Sequence, residues 1–179
     1  MVSWTPGRIC PVPDPAHPES RGAFVTSDDR HASAPATPPP APPTRPTLAM
    51  TRRHGDLLVT SGQTAVGPDG ALIASGRVGD QVDLETARAC AWRCMANVVE
   101  AIRGELGTLE AVTAVVKITV FVASAPGFIE QHLVADAATA YLKHVFGDEV
   151  GHSSRSAIGV AELPTGSPVE VEAMVRVAS

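Results

Sequence analysis

Residues 152–177, HSSRSAIGVAELPTGSPVEVEAMVRV, contain the pattern that decides the fold. Two runs of alternating side chains flank the turn-rich centre LPTGSP, which predicts two β-strands joined by a reversal of the chain. Arg155 begins the first run and Glu170 begins the second. Glu170, Glu172 and Arg176 are separated by even numbers of residues, so they share one face of the second strand. Because charged residues are common on solvated strand faces, this pattern alone does not identify a site.

Upstream of this stretch, the apolar pattern predicts a hairpin and a helix. DLLVTSGQTAV, residues 56–66, is apolar and rich in β-branched residues, and the turn GPDG follows it. We therefore expect a β-hairpin with residues 56–66 as its better-defined strand. Apolar residues then recur every three or four positions from Asp83, a suitable N-cap, to Gly107, a suitable stop.

A second strand and a second helix follow. AVVKITVFVA, residues 114–123, places Val116, Ile118, Val120 and Val122 on one face and Val115, Lys117, Thr119 and Phe121 on the other. The next helix is expected from roughly Pro126 to Gly147. Its predicted buried stripe consists of Phe128, His132, Ala135, Leu142 and Val145.

The predicted order is β-hairpin, helix, strand, helix, strand, strand. Right-handed crossovers place both helices on the same side of one sheet, so the fold class is α+β with a two-layer mixed β-sheet and two helices on one face. The opposite sheet face carries enough Val and Ala that its exposure to water would be unfavourable. We therefore expect a homo-oligomer that buries sheet against sheet.

Composition limits the classes of partner. The chain has 179 residues, 44% of them hydrophobic, and a net charge of −5, which argues against nucleic acid. No apolar run is long enough for a membrane span, and no targeting signal is recognisable, so we expect a cytoplasmic protein without a membrane partner. Cys90 and Cys94 have helical spacing and are interpreted as packed rather than reactive, while Cys10 lies near the N-terminus.

Composition also divides the chain. Residues 1–46 hold twelve of the sixteen prolines and are predicted to be a disordered or extended leader. This leader could serve as a proline-rich ligand for a partner domain. We favour two simpler interpretations, a flexible tail or a start codon assigned too far upstream. Residues 47–179 form the predicted domain, with ten basic and fifteen acidic residues. The sequence contains no serine-hydrolase elbow, paired metal-binding histidines or phosphate-binding glycine loop.

Several segments together resemble one protein family. GDLLVTSGQ, RSAIGVAELP and VEVEA are similar to the RidA/YjgF imine deaminase family. HGDLLVTSGQ, GRVG, FVASAPGF and VFGDEVGHSSRSAIGVAELPTGSPVEVEA are similar to its branch labelled chorismate-mutase-like, or YjgF-like. The resemblance covers roughly residues 40–179 without large gaps. It implies the same two-layer α+β unit, assembled as a homotrimer with sites between subunits.

The resemblance also implies an activity, the hydrolysis of reactive 2-imino or 2-enamino acids to 2-keto acids and ammonia. Arg155 would hold the substrate carboxylate, and Glu170 would orient or deprotonate the attacking water. Gly62 would offer a backbone N–H to the same carboxylate. Ala157 replaces a family cysteine whose backbone carbonyl faces the ligand. No cofactor is implied, because a protonated imine is already electrophilic and positioning supplies the rest.

Three features of the sequence depart from the family pattern. Leu48 or Met50 stands where deaminases carry a tyrosine. Asp136 or Ala138 replaces an asparagine of the second helix, and two serines precede Arg155 in place of the usual proline and alanine. A carboxylate at Asp136 would repel an anionic substrate, so these departures leave the substrate and the activity open.

Geometry adds a constraint on the last two strands. If they formed a plain hairpin centred near Gly166, Arg155 would lie opposite Val177, about seven residues or roughly 23 Å from Glu170. One small substrate could not contact both residues. Either the strands are not neighbours in the sheet, or the two residues meet across a subunit boundary. Both alternatives predict that an isolated monomer is a poor enzyme.

Three functions follow from these observations. The first is a cofactor-free imine deaminase, which the presence of Glu170 favours. The second is a non-catalytic trimer that binds small carboxylates through Arg155 and has a regulatory or protective role, which the missing tyrosine favours. The third is a ribonuclease, which the acidic domain and the lack of interleaved basic and aromatic residues disfavour. Chorismate mutase activity does not follow from the name of the branch, since fold does not fix function.

Overall fold

The computed structural model of this chain describes residues 27–34 and 48–178. The chain divides into two units, Met1–Pro46 and Thr47–Ser179. In the first unit, helix α1 spans Ser27–Ala32 and has two acidic residues in its first turn. The proline content of the leader predicts no helix, but residues 19–34 contain no proline, and acidic residues stabilise a helix N-terminus. The predicted disorder of the remaining leader concerns residues outside those described.

The second unit is a two-layer α+β domain, as the sequence predicts. Its elements in chain order are β1 (Thr51–His54), β2 (Leu57–Thr60), β3 (Gln63–Thr64), α2 (Leu84–Leu106), β4 (Val112–Ala123), α3 (Gln131–Val150), β5 (Ser154–Val160) and β6 (Val169–Val177). The strands form one mixed sheet in the order β1-β2-β6-β4-β5, and the short β3 also pairs with β6. Strands β4 and β5 are parallel, whereas the other pairs are antiparallel.

Helix α2 begins and ends where the sequence predicts. The Asp83 side chain accepts a hydrogen bond from the Thr86 backbone N–H at 2.7 Å, which holds the pKa of Asp83 below its ordinary value. Gly107 ends the helix in the left-handed conformation, with φ of 74°, and its N–H donates to the Arg103 carbonyl. Cys90 and Cys94 are fully buried, so the packed interpretation of these cysteines is confirmed.

Two predicted boundaries are wrong. The hairpin turn lies at Gly55 between β1 and β2, while the GPDG segment closes only an isolated bridge between Val66 and Leu72. Helix α3 begins at Gln131 rather than near Pro126. Pro126 and Gly127 instead form a tight turn, in which Gly127 has φ of 86° and the Phe128 N–H donates to the Ala125 carbonyl.

The alternation of buried and exposed residues along β4 is interrupted. The pairing of β4 with β6 shifts register between Val115 and Lys117, which is the position of a β-bulge. Val115 is therefore buried, and Val116, which the alternation predicts on the buried face, is 43% exposed. His132, assigned to the buried stripe of the second helix, is also exposed.

The core lies between the helices and one face of the sheet. Along β6 the buried residues alternate, and they are Val169, Val171, Ala173, Val175 and Val177. The side chains between them belong to the opposite sheet face, which we call the open face. Its other members follow from strand register and include Val59, Lys117, Thr119, Phe121 and Ile158. Among the described residues, no helix combines the length and apolar character of a membrane span.

Candidate active site

Arg155 lies on β5, and its side chain points toward the helix layer. Its Nη1 donates hydrogen bonds to Asp136 Oδ1 and to Thr139 Oγ1, both at 2.9 Å. Nη2 donates to the backbone carbonyl of His132 at 3.4 Å. Only 24% of the arginine side chain is exposed. Helix α3 therefore fixes the position of the guanidinium.

Glu170 lies on β6, and its side chain belongs to the open face. Its carboxylate covers the Cα atom of Gly62, where an added Cβ would overlap a carboxylate oxygen. Burial, and after it the negative charge of Glu172, raises the pKa of Glu170 above its ordinary value. A carboxyl group with a raised pKa holds a proton more readily than a free glutamate does. This property suits a group that takes a proton from water and returns it.

Ala157 lies two residues after Arg155 on the same side of β5, and its side chain packs against the core. Strand β5 is at the edge of the sheet and, among the described strands, pairs only with β4. One side of its backbone therefore faces away from the sheet. A ligand beside this edge could contact the backbone of Ala157, which is the role that the resemblance implies.

The predicted site residues form two groups, which we call half-sites. The Glu170 half-site consists of Glu170 and Gly62 on the open face. The Arg155 half-site consists of Arg155 and Ala157 on the helix side of β5. The structure brings the members of each half-site together but does not bring the two half-sites together within one chain.

Strand register gives the separation between Arg155 and Glu170. On β4, Ile118 pairs with Arg155 and Phe121 pairs with Glu170. With strands ~4.8 Å apart and a rise of ~3.3 Å per residue, the two Cα atoms are roughly 14 Å apart. Because β4 lies between β5 and β6, the two strands are not neighbours, and the plain hairpin is excluded. The two side chains also point to opposite faces, so one small substrate cannot contact both within a subunit.

The segment before β1 lies beside the Glu170 half-site. Ser61, the neighbour of Gly62, donates from its N–H to the Met50 carbonyl and from its Oγ to the Ala49 carbonyl, at 2.9 and 2.7 Å. Leu48 and Met50 are 68% and 48% exposed. Met50 thus lies close to Gly62, and both candidates for the tyrosine position present apolar side chains to solvent.

Sequence reasoning missed two polar residues, one at the Arg155 half-site and one elsewhere on the open face. Thr139 accepts a hydrogen bond from Nη1 of Arg155, the same group that donates to Asp136. Its spacing of three residues from Asp136, which puts both residues on one side of the helix, was the only signal in the sequence. Lys117 lies on the open face and donates to Ser156 Oγ at 2.7 Å. It borders a cavity of about 80 Å³ together with Glu172. The available signal was that Lys117 is the one charged residue of β4.

The fold is that of a small α+β protein with a mixed sheet, as in YjgF-like structures. Residues 41–177 match the family described as Endoribonuclease L-PSP, which includes YjgF and RidA, and the chain belongs to this family. It is 41% identical to Protein TCP17 from Trypanosoma cruzi over 122 residues, which cover 68% of this chain and 76% of that protein.

Solved structures agree with this family assignment. The Agrobacterium tumefaciens protein Atu1372, described as of unknown function, superposes with a TM-score of 0.71 and 35% identity, over 73% of this chain and 82% of that one. The YjgF gene product of Escherichia coli superposes with a TM-score of 0.53 and 25% identity, over 76% and 92% of the two chains. The recognition made from the sequence is therefore confirmed at the level of family and fold.

Proposed function

We propose that this protein hydrolyses reactive 2-imino or 2-enamino acids to 2-keto acids and ammonia without a cofactor. The observation that carries the proposal is the Glu170 carboxylate, which lies over Gly62 with a raised pKa. Because residue 62 is a glycine, the Glu170 carboxyl group lies directly against the backbone at that position. Membership of the YjgF/RidA family supports the same activity.

In the proposed reaction, the Arg155 half-site binds the substrate and the Glu170 half-site transfers protons. Arg155 binds the substrate carboxylate through parallel N–H donors, which fixes the position of the imine carbon. Glu170 accepts a proton from a water molecule as the water oxygen bonds to that carbon and the C=N π electrons move to nitrogen. For the protonated imine, Glu170 then returns this proton to the nitrogen of the carbinolamine. The C–N bond breaks and ammonia leaves as the hydroxyl group loses its own proton to Glu170 and becomes the carbonyl. An enamine first takes a proton at its β-carbon and so becomes the imine.

This division requires more than one subunit. The Arg155 and Glu170 side chains lie on opposite sheet faces, with their Cα atoms roughly 14 Å apart. We propose a homotrimer in which the Arg155 half-site of one subunit faces the Glu170 half-site of another. The open face supports association, since Ile158 and Met174 are exposed apolar residues on it.

A second candidate is a trimer that binds small carboxylates without turnover. The feature that favours it is the missing tyrosine, since the candidates for that position, Leu48 and Met50, are exposed apolar residues. A ribonuclease, suggested by the family's description, finds less support, because residues 47–179 carry fifteen acidic residues against ten basic ones.

An assay with imines made in situ separates these candidates. An amino-acid oxidase generates 2-imino acids, and the release of ammonia and keto acid is followed with the full chain, with Arg155→Ala and with Glu170→Ala. We expect the wild type to accelerate hydrolysis and each substitution to reduce kcat/KM by about 10²- to 10⁴-fold. Arg176→Ala is the matched control, because its ion-pair partner among the residues that the structure describes is the exposed Asp56, at 2.7 Å. Equal rates with and without wild-type protein would refute the deaminase and favour the binding trimer.

A further inference from the structure

Helix α3 holds one part of the Arg155 guanidinium. Nη1 carries two hydrogens and donates two hydrogen bonds, one to Asp136 Oδ1 and one to Thr139 Oγ1, both at 2.9 Å. Nη2 makes a longer contact of 3.4 Å with the backbone carbonyl of His132. All three acceptors belong to α3, so this one helix determines how the guanidinium is turned.

A different edge of the guanidinium is left for a ligand. Among the residues that the structure describes, Nε of Arg155 has no hydrogen-bond acceptor, and Nη2 has a second hydrogen beyond the one used on His132. Nε and Nη2 together present two parallel N–H donors, which is the geometry that binds both oxygens of a carboxylate. This Nε–Nη2 edge points away from Nη1. A carboxylate bound there therefore meets Arg155 without contacting Asp136.

Two opposite effects of Asp136 on such a ligand have to be compared. Immobilising a long side chain when a ligand binds weakens binding, and here the contacts of Nη1 immobilise Arg155 in the folded protein beforehand. The negative charge of Asp136 acts against this gain, because it repels an anion. However, the Asp136 carboxylate lies at Nη1, away from the free edge, and its side chain is 49% exposed, so water screens the repulsion. The effect of position therefore outweighs the effect of charge.

We propose that Asp136 and Thr139 are positioning residues, which hold Nη1 so that Arg155 presents its Nε–Nη2 edge to the carboxylate of the 2-imino acid. The inference rests on the proposed function, because it takes Arg155 as the group that binds this carboxylate. It gives Asp136 a role that is compatible with an anionic substrate. A single fixed edge also sets the orientation of the bound carboxylate, and with it the direction of the imine carbon.

Titration with pyruvate tests this role without turnover. Pyruvate is a 2-keto acid, and its affinity for the full chain is measured by calorimetry. Asp136→Ala removes an acceptor of Nη1 and should weaken pyruvate binding about tenfold. Asp136→Asn keeps an oxygen that accepts from Nη1 and loses the charge, so its affinity should equal or exceed that of the wild type. Thr139→Val, which keeps the shape of the side chain without the hydroxyl group, should weaken binding about threefold.

Asp148→Ala is the matched control on the same helix. Asp148 pairs with Lys143 at 3.2 Å, and its side chain is 90% exposed, so this variant should bind pyruvate as the wild type does. Melting temperatures of all variants separate a loss of binding from a loss of folding.

The NMR signal of the Arg155 Nε–H group shows which edge pyruvate uses. This signal is identified by its loss in Arg155→Lys. In the wild type it should shift as pyruvate is added, with the same Kd that calorimetry gives, because the carboxylate accepts a hydrogen bond from Nε. A signal that stays in place while pyruvate binds would overturn the inference.

Kinetic measurements distinguish this inference from the proposed function. Asp136→Ala should raise KM for a 2-imino acid about tenfold, and Asp136→Asn should restore it. Unchanged or tighter pyruvate binding by Asp136→Ala, an equal loss in Asp136→Asn, or no pyruvate binding by the wild type would refute the positioning role. If the binding results are as expected but the wild type does not hydrolyse imines, the proposed function fails and the positioning of Arg155 stands. If the wild type hydrolyses imines and KM is unchanged in Asp136→Ala, the proposed function stands and the inference fails.

Discussion

The position of the Glu170 carboxylate depends on the absence of a side chain at Gly62. Its carboxylate occupies the space that a Cβ at Gly62 would fill, so the glycine and the glutamate act as one unit. The carboxylate is the end of a flexible side chain, and it can move aside without disturbing the backbone. The role of Gly62 in the structure is therefore to admit the Glu170 carboxylate, in addition to any backbone contact with a substrate.

Gly62→Ala should separate activity from stability. The added methyl group forces the Glu170 carboxylate away from its position, and a misplacement of about 1 Å costs on the order of 10²-fold in rate. We expect kcat/KM for imine hydrolysis to fall by about that factor while the melting temperature changes little. A variant with full activity would show that the position of this carboxylate does not matter for the reaction.

The raised pKa of Glu170 predicts a stability effect with a defined sign. In the unfolded chain this carboxyl group ionises at its ordinary value, 4.5, and in the folded protein it ionises at higher pH, chiefly because of burial. The folded state therefore binds the proton more tightly, and stability falls as pH rises through this interval. Glu170→Gln, which cannot ionise, should be more stable than the wild type at pH 7 and should lose that advantage below about pH 4.

Thermal melting of the wild type and Glu170→Gln across this pH range measures the effect. Glu172→Gln is the control on the same face, and it should raise wild-type stability less, because the charge of Glu172 is only the second cause of the shift. A constant difference between Glu170→Gln and the wild type at all pH values would contradict the raised pKa.

At the residue scale, the sequence identified the candidate residues but not their contacts. Arg155, Glu170, Gly62 and Ala157 came from motif resemblance, and their catalytic and binding roles stay predictions. The departure at Asp136 was visible, but its ion pair with Arg155 depends on how α3 packs against β5. No local pattern specifies that contact, because the two residues are brought together by tertiary structure.

Among the elements, α2 offers the clearest stability test. Gly107→Ala places a Cβ in the left-handed conformation and should destabilise the protein by about 1 kcal/mol. Gly104, three residues earlier, is helical and has open space where a Cβ would lie. Gly104→Ala should therefore stabilise the protein by up to about 1 kcal/mol. Urea unfolding of the two variants measures both changes, and a shift of the same sign in both would contradict the assigned C-cap.

Elements with strong local signals were predictable, and elements set by long-range pairing were not. Helix α2 has a capping aspartate, a regular apolar stripe and a terminal glycine, and all three agree. The segment from Pro126 is compatible with two local structures, because proline is common both at the start of a helix and in a tight turn. The bulge at Val116 arises from the register between β4 and β6, strands separated in sequence by a whole helix and a further strand. Alternation within β4 alone could not reveal it.

For the whole molecule, sequence reasoning gave the layers but not the strand order. Helices on one face followed from crossover handedness, whereas the central position of the last strand, β6, between β2 and β4 did not. That strand order separates the two half-sites by β4, and the register of the strands places them on opposite faces of the sheet. The assembly of the site from two subunits is thus the central claim about the whole molecule, and it stays a proposal.

Complementation between inactive subunits tests this claim most directly. Arg155→Ala and Glu170→Ala chains carrying different affinity tags are co-expressed, and mixed oligomers are purified through both tags and assayed for imine hydrolysis. Every mixed trimer, whether it holds one or two copies of a variant, has one interface in three that pairs an intact Arg155 half-site with an intact Glu170 half-site, or about a third of its sites. We therefore predict recovery of about a third of wild-type kcat/KM per subunit, although each variant alone is inactive. Mixed oligomers no more active than the separate variants would contradict a site shared between subunits.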